Sequence, residues 1–230
     1  MKEETALSSK NEKSVEFANY MSGIFAWMFA GLTVSGLVGY MIAASGDSVK
    51  AIFYNPLALI LLVILQLGLV IYLSARITKL STNVARGLFL AYAATVGITF
   101  SIIFLTYTST SIMRVFFITA GMFSIMAIIG YTTKKDLSKL GMLLLMGLVG
   151  IIIASLVNIF LGSNTVQLVI SYIGVVIFLG LTAYDIQKIK KLHATFGDAG
   201  NIAILGALSL YLDFLNLFLF LLRIFGAGKD

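Results

Sequence analysis

The fold is decided by a long uncharged stretch, residues 140–184, which reads LGMLLLMGLVGIIIASLVNIFLGSNTVQLVISYIGVVIFLGLTAY. A membrane-spanning helix needs roughly 17–25 predominantly apolar residues, so this stretch is long enough for two. Its clearest turn signal is the sequence GSNT at 162–165, where glycine, serine and asparagine interrupt the apolar run. We therefore predict two consecutive membrane-spanning helices here, joined by a turn at 162–165.

The composition of the whole chain is typical of a helical membrane protein. Of its 230 residues, 60% are hydrophobic and 11% are charged, whereas soluble domains contain about 45–50% apolar and about 25% charged residues. The chain contains no cysteine and one histidine. This excludes disulfides, zinc–thiolate sites, iron–sulfur clusters, cysteine nucleophiles and multi-histidine metal sites.

The other predicted spans lie between charged residues. Four further uncharged intervals lie between Glu16 and Asp47, between Lys50 and Arg76, between Arg86 and Arg114, and between Arg114 and Lys134. A last apolar stretch, at about 204–225, contains Asp213. Together these segments predict an all-α bundle of seven transmembrane helices. We divide the chain into a polar, mobile N-terminal tail at 1–20, a transmembrane domain at 21–226 and a C-terminal tail at 227–230. We expect no cleavable signal peptide, because the first apolar run is too long.

The positions of lysine and arginine predict the orientation, because cytoplasmic loops are enriched in both residues. With the N-terminus in the cytoplasm, twelve of the sixteen fall on that side, namely Lys2, Lys10, Lys13, Arg76, Lys79, Arg86, Lys134, Lys135, Lys139, Lys188, Lys190 and Lys191. This bias explains the net charge of +6 without a nucleic-acid partner. We expect a multi-pass protein of a bacterial cytoplasmic (inner) membrane. A fully spanning seventh segment would place the C-terminus outside, and a re-entrant one would place it inside.

Two acidic residues, Asp185 and Asp213, lie within predicted spans, whereas the others lie in tails or loops. An ionised carboxylate inside a span costs roughly 2.5–3.5 kcal/mol on insertion scales, and such residues usually face a cavity or a partner. The structural alternative for Asp213 is a protonated side chain that hydrogen-bonds a neighbouring helix. For Asp185 it is an interfacial ion pair with Lys188.

The spacing of the two aspartates predicts that they lie side by side. Ala199 is the midpoint of the interval 185–213, and it lies within the turn sequence GDAGN at 197–201. An antiparallel hairpin that turns there brings both carboxylates level toward the cytoplasmic end of the membrane, provided that the sixth helix continues past Lys191. Two facing carboxylates in a low dielectric share one proton. We therefore predict a pH-sensitive pair that binds a hard cation through oxygen when it is deprotonated.

Several polar residues are candidate neighbours of this pair. Arg76 ends the second span on the same side, and its guanidinium could latch a carboxylate through two hydrogen bonds. Its alternative role is a positive-inside anchor. Asn216 lies one turn from Asp213 on the same helix face, where it either hydrogen-bonds a carboxyl or joins helices, and Tyr184 precedes Asp185. His193 is expected to be an ordinary exposed histidine of the basic segment.

At these residues the sequence resembles the Bax inhibitor-1 family, also called the transmembrane Bax inhibitor motif family, and in particular its bacterial-type members. The most specific segments are LTAYDIQKIK at 181–190, SLYLDFLNLF at 209–218 and LRIFG at 222–226, and KKDLS at 134–138 also fits. The resemblance covers nearly the whole chain after the N-terminal tail. It implies a seven-helix fold in which six helices surround a central C-terminal helix.

The resemblance also implies a pH-sensitive calcium leak through the bundle. The family's aspartate pair falls on Asp185 and Asp213, and its latching arginine falls on Arg76. The family commonly has an acidic residue in the middle of the second span, where this chain has Leu65 and Gln66. A carboxylate on the ion path in that span is therefore not expected here.

The predicted function is a pH-sensitive, calcium-permeable leak channel gated by the Asp185–Asp213 pair, with Arg76 as a latch. Asp185 and Asp213 would bind the transported calcium transiently, and no other cofactor is expected. A monomer would be sufficient for the pore, with the lipid bilayer and a possible membrane protein as partners. Two alternatives stay open: a regulatory membrane protein that binds a membrane protease or channel, and a proton-coupled cation transporter. An enzyme is not predicted, because the second aspartate lacks the glycine-rich surroundings of intramembrane aspartyl proteases.

Overall fold

The computed structural model describes residues 2–46, 53 and 55–229 of the chain, with side chains from residue 15 onward. Asp47 and Asp230, two of the acids expected in loops or tails, and Lys50, which bounds the second uncharged interval, lie outside the described residues.

Within these residues the chain forms seven long α-helices and one short 3-10 turn. They are α1 Lys2–Ala44, α2 Pro56–Arg76, the 3-10 turn Ile77–Lys79, α3 Thr82–Thr106, α4 Ser109–Thr132, α5 Ser138–Leu161, α6 Asn164–Phe196 and α7 Gly200–Phe225. All seven helices of the described chain are long and apolar enough to cross a membrane, with the apolar part of α1 beginning at Val15. The predicted all-α, seven-helix membrane fold is therefore confirmed. Helix α1 also continues through the predicted tail boundary at residue 20 without a break.

Local sequence signals set the ends of these helices. The Asn55 side chain accepts hydrogen bonds from the backbone at the start of α2, where Pro56 occupies the first helical position. Gly162 ends α5 with φ at +61°, a left-handed conformation that glycine adopts at little cost. Ser163 then caps α6 by accepting a hydrogen bond from the Val166 N–H. The turn predicted at 162–165 is thus present.

Helix α7 forms the centre of the bundle. It packs against α1, α3, α4, α6 and the 3-10 turn, whereas α2 is attached through α3 and α5 through α6. In the apolar segment of α7, 72% of the residues are buried, against 6% in α2 and 11% in α5. The central C-terminal helix is therefore as predicted, and the exposed apolar surfaces of α2 and α5 are suited to contact with lipid.

A buried hydrogen-bond chain joins α1, α3 and α7. The Tyr211 hydroxyl lies 2.6 Å from Ser35 Oγ, and Ser35 Oγ donates to the Ala93 carbonyl at 2.7 Å. Tyr211 is fully buried, with the Phe89 ring edge-on against it at 5.5 Å. Because hydroxyl groups in an apolar core need partners, this chain fixes the rotation of α7 relative to α1 and α3.

Helix α4 approaches α6 closely at Gly130. A Cβ atom at this position would collide with the backbone of Ala183, two residues before Asp185. The absence of a side chain at Gly130 therefore allows backbone contact between α4 and α6 beside the predicted aspartate pair.

The C-terminal residues lie at the end of the bundle opposite the α6–α7 turn. Helix α7 is unbroken, and the residues after it pair with the α3–α4 turn, where the Thr108 N–H donates to the Ala227 carbonyl and the Lys229 N–H donates to the Thr106 carbonyl. Helix α7 is thus one continuous helix that is long and apolar enough to cross a membrane, without the break that a re-entrant segment has. With the N-terminus in the cytoplasm, as the positive-inside rule predicts, seven spans would place the C-terminus outside.

Candidate functional site

The α6–α7 hairpin brings the two intramembrane aspartates together. Helix α6 continues past Lys191 to Phe196, Gly197 turns the chain with φ at +62°, and α7 begins at Gly200. Asp185 and Asp213 lie within electrostatic range of each other and line the same cleft. Both aspartates thus line one cleft, and among the described residues no hydrogen bond joins their carboxyls.

The cleft has a volume of about 630 Å³ and walls from α2, α3, α5, α6 and α7. Most of its lining is leucine, isoleucine, valine and phenylalanine. The polar side chains that line it are those of Tyr92, Ser155, Tyr184, Asp185, Lys188, Ser209, Asp213 and Asn216. The aspartates are thus the acidic groups of an otherwise largely apolar cleft between the outer helices α2 and α5.

Asp213 is the more buried aspartate, and only 5% of its surface is exposed. Among the described residues its Oδ2 atom is buried without a hydrogen-bond partner. An ionised carboxyl oxygen in such a place is costly unless it takes up a proton or faces a cation. A proton or a cation at this oxygen would therefore stabilise the buried carboxyl.

The neighbours of Asp185 are Ser209, whose hydroxyl faces its carboxyl, and Lys188, one helical turn further along α6. Ser209 was not predicted, although it precedes Asp213 by four residues and so lies on the same face of α7. Lys188, the ion-pair partner considered for Asp185 on the sequence alone, is close enough to influence its charge. Among the described residues, however, the two side chains do not form a salt bridge.

Asn216 and Tyr184, which were predicted as neighbours of the pair, also line the cleft. Asn216 donates a hydrogen bond from Nδ2 to the Leu212 carbonyl at 2.8 Å, within its own helix. The Tyr184 ring packs where a side chain at Gly141 would otherwise lie. Tyr184 therefore helps to attach α5 to α6 at the level of the pair.

The structure does not bring Arg76 to the aspartates. Arg76 is exposed at the end of α2, and within the described chain it forms no ion pair and does not line the cleft. Helix α2 reaches the cleft through Leu67 and Val70. Gln66, the residue at the position where the family commonly has an acid, donates to the Thr95 carbonyl and to Thr99 Oγ1, and so ties α2 to α3.

The expectation for His193 was wrong. Its side chain is only 14% exposed, and its Nε2 atom lies 2.9 Å from Asp198 Oδ1. The rings of Phe17 and Tyr20 pack against the imidazole, with centroids at 5.2 Å and 4.6 Å. The physical reason is that α1 begins before its apolar segment and places an aromatic face over the end of α6.

Two comparisons with known proteins agree with this architecture. Residues 18–230 match the protein family described as "Inhibitor of apoptosis-promoting Bax1". The chain is 50% identical over 212 residues to "Inner membrane protein YbhL" of Escherichia coli K12, covering 90% of this chain and 91% of that protein. It is 45% identical over 216 residues to a protein of Borreliella burgdorferi, covering 92% and 93% of the two chains.

A third relative is a membrane protein of Streptococcus pyogenes serotype M3, to which the chain is 39% identical over 219 residues, covering 94% of this chain and 95% of that protein. These matches extend over nearly all of the seven-helix bundle. The chain is thus a multi-pass integral membrane protein that belongs to the Bax inhibitor-1 family.

Proposed function

We propose that the chain is a pH-sensitive, calcium-permeable leak channel gated by a proton shared between Asp185 and Asp213. The observation that carries this proposal is the buried Asp213 carboxyl, which has an unpartnered oxygen and shares its cleft with Asp185. The name of the Escherichia coli relative supports a bacterial inner membrane as the location. A single chain contains every group that the proposed gate needs.

The pair can exist in two states that differ in charge. With one proton, a carboxyl can hydrogen-bond the neighbouring carboxylate, and α6 and α7 stay packed. Without it, two negative charges in a low dielectric repel each other unless a cation lies between them. Loss or gain of this proton therefore changes the packing energy of the hairpin and shifts the closed–open equilibrium.

Calcium is the cation that we propose as cargo. Calcium takes 6–8 oxygen ligands, and the two carboxyls here supply only part of that number. Water would supply the remainder, so the ion would bind weakly enough to leave again, as conduction requires. Lys188 beside Asp185 competes with the cation for the pair, which weakens binding further.

We include Arg76 in the gate as a latch that engages in a different arrangement of α2. Helix α2 packs mainly on α3 and is almost entirely exposed to the outside of the bundle. Most of α2 can therefore shift at a small cost in buried contacts. The end that carries Arg76 is held more firmly, by the buried side chains of Leu73 and Ile77, so the latch requires a local rearrangement there. A shift that brings Arg76 to Asp185 would cover the cleft, because α2 already forms one of its walls. Arg76→Ala should then raise the basal leak.

Calcium influx into liposomes tests this proposal. The full chain is reconstituted in vesicles loaded with a calcium dye, and influx is recorded at several pH values for the wild type, Asp213→Asn and Asp136→Asn. Asp136 is a matched control, since it is a carboxylate of the α4–α5 loop that pairs with Lys191 outside the spans. We expect pH-dependent influx in the wild type and in Asp136→Asn, and loss of the pH dependence in Asp213→Asn.

The same experiment separates the two alternatives. Influx that requires a pH gradient across the vesicle, and not only a given pH, would indicate a proton-coupled cation transporter. No influx above that of empty vesicles, with folded and inserted protein, would refute the channel and favour a regulatory membrane protein.

A further inference from the structure

Three ligand-type side chains meet where α1 crosses the α6–α7 turn. They are Glu16 of α1, His193 of the last part of α6 and Asp198 of the turn, and one ligand atom from each lies within 4.8 Å of the other two. This cluster is separate from the aspartate pair, because His193 follows Asp185 by two helical turns, or roughly 12 Å along α6.

A second observation at this place points to a ligand. The Tyr20 ring packs on the His193 ring, and only 8% of Tyr20 is exposed. Its hydroxyl lies in the field of Asp198, yet among the described residues it is buried without a hydrogen-bond partner. The hydroxyl is one of two such side-chain atoms in the described part of the chain, the other being Oδ2 of Asp213. A buried hydroxyl without a partner is costly, and a ligand bound to the cluster would give it one.

We propose that Glu16, His193 and Asp198 bind one zinc-class transition-metal ion. His193 Nε2 and Asp198 Oδ1 are 2.9 Å apart, close to the separation of about 3.3 Å that two ligands have in a tetrahedron with metal–ligand distances of about 2.0–2.1 Å. The exposed Glu16 side chain has the freedom to move inward. Three protein ligands leave a fourth position for water, and Tyr20 would hydrogen-bond that water or a carboxylate.

The donor set selects the metal. An imidazole nitrogen beside two carboxylates suits zinc and related transition metals, whereas calcium and magnesium prefer oxygen ligands alone. The aromatic rings of Phe17 and Tyr20 cover one side of the imidazole, which restricts its orientation.

The proposed ion would join α1 to the hairpin that holds the aspartate pair. Glu16 lies on α1, and His193 and Asp198 lie on either side of Phe196, the last residue of α6. Binding would therefore clamp the N-terminal part of α1 onto the α6–α7 turn. This inference does not depend on the proposed channel activity, because it concerns binding and stability only.

Zinc binding to the purified full chain tests the proposal. The protein is prepared without a histidine tag, treated with a chelator and titrated with Zn²⁺, and bound zinc is measured by equilibrium dialysis and elemental analysis. The variants are Glu16→Gln, His193→Gln and Asp198→Asn, with Asp136→Asn as the matched control on the same side. We expect one zinc per chain and loss of affinity of at least about tenfold in each ligand variant. We expect unchanged affinity in Asp136→Asn.

Thermal stability gives a second readout that needs no transport activity. Zinc should raise the melting temperature of the wild type and of Asp136→Asn, and at the same zinc concentration should raise that of Glu16→Gln less. Glu16 is exposed, so this variant should fold normally. Substoichiometric zinc, equal zinc affinity in Glu16→Gln and the wild type, or displacement of zinc by an equal concentration of calcium would overturn the proposal.

Discussion

Replacing Gly130 with alanine should separate α4 from α6 and destabilise the bundle. The added Cβ would lie 2.8 Å from Ala183 Cα and 2.9 Å from its carbonyl carbon, where ordinary contacts are 3.4–4 Å. These atoms belong to the backbone, so no change of rotamer relieves the collision. The carbonyl oxygen of Ala183 would lie closer still, so the two helices must move apart locally.

Overpacking of this kind costs about 1–3 kcal/mol. Replacing glycine by alanine in a helix also raises the stability of the helix, by at most about 1 kcal/mol, and this increase opposes the cost of overpacking. Gly121→Ala on the same helix isolates that gain, because nothing lies within 4 Å of a Cβ at Gly121. Gly130→Ala should therefore be less stable than Gly121→Ala by about 1–3 kcal/mol.

Unfolding by sodium dodecyl sulfate in mixed micelles, followed by circular dichroism, measures this difference in the free energy of unfolding. Gly121→Ala should equal or exceed the wild type in stability. If Gly130→Ala proves as stable as Gly121→Ala, the close contact between α4 and α6 is refuted. The packing of the α6 segment with Ala183 and Asp185 against α4 would then be refuted as well.

Two further predictions concern hydrogen bonds. Ser35→Ala should destabilise the protein by about 1–3 kcal/mol, because it leaves the buried Tyr211 hydroxyl unpaired. Adding Tyr211→Phe to Ser35→Ala should recover part of this loss. If the two substitutions instead cause additive losses in the same unfolding assay, the hydrogen bond between Ser35 and Tyr211 is contradicted. The Lys191 ammonium and Ser138 lower the pKa of Asp136 from 3.8 to about 2, so the stabilisation by this pair should persist above about pH 4 and vanish as the pH falls through about 2. Melting temperatures of Asp136→Asn and the wild type should converge there, and a constant difference would be inconsistent with the pair.

The number and type of the helices could be predicted from the sequence because the bilayer leaves few alternatives. A span must be long, apolar and helical, so uncharged intervals indicate the helices directly. Closely spaced turn signals such as 162–165 and 197–201 also separate neighbouring spans. The central position of α7 follows from the resemblance, and not from hydropathy, because hydropathy does not distinguish lipid-facing from buried helices.

The placement of Asp185 and Asp213 along one cleft could be predicted because a hairpin fixes the register of two consecutive helices. Residues equidistant from the turn lie level, and Asp185 and Asp213 are such residues. The position of Arg76 could not be predicted in this way, since α2 is not the sequence neighbour of α6 or α7. Its distance from the pair depends on how α2 packs on α3.

The sequence does not predict the cluster around His193, because the polar composition of residues 1–20 indicates a tail. Phe17 and Tyr20 lie one turn apart on α1 and both are buried. Their helical spacing was a signal of a buried face in the sequence. What that face would cover could not be deduced, because contact between α1 and the end of α6 is long-range.

The most direct test of the proposed gate compares calcium influx from about pH 5 to about pH 8 in the wild type, Asp185→Asn, Asp213→Asn and the double variant. Groups that share one proton titrate as a unit. We predict that each single variant loses the pH dependence and that the double variant behaves like the single ones. Independent partial losses that add up in the double variant would contradict a shared proton.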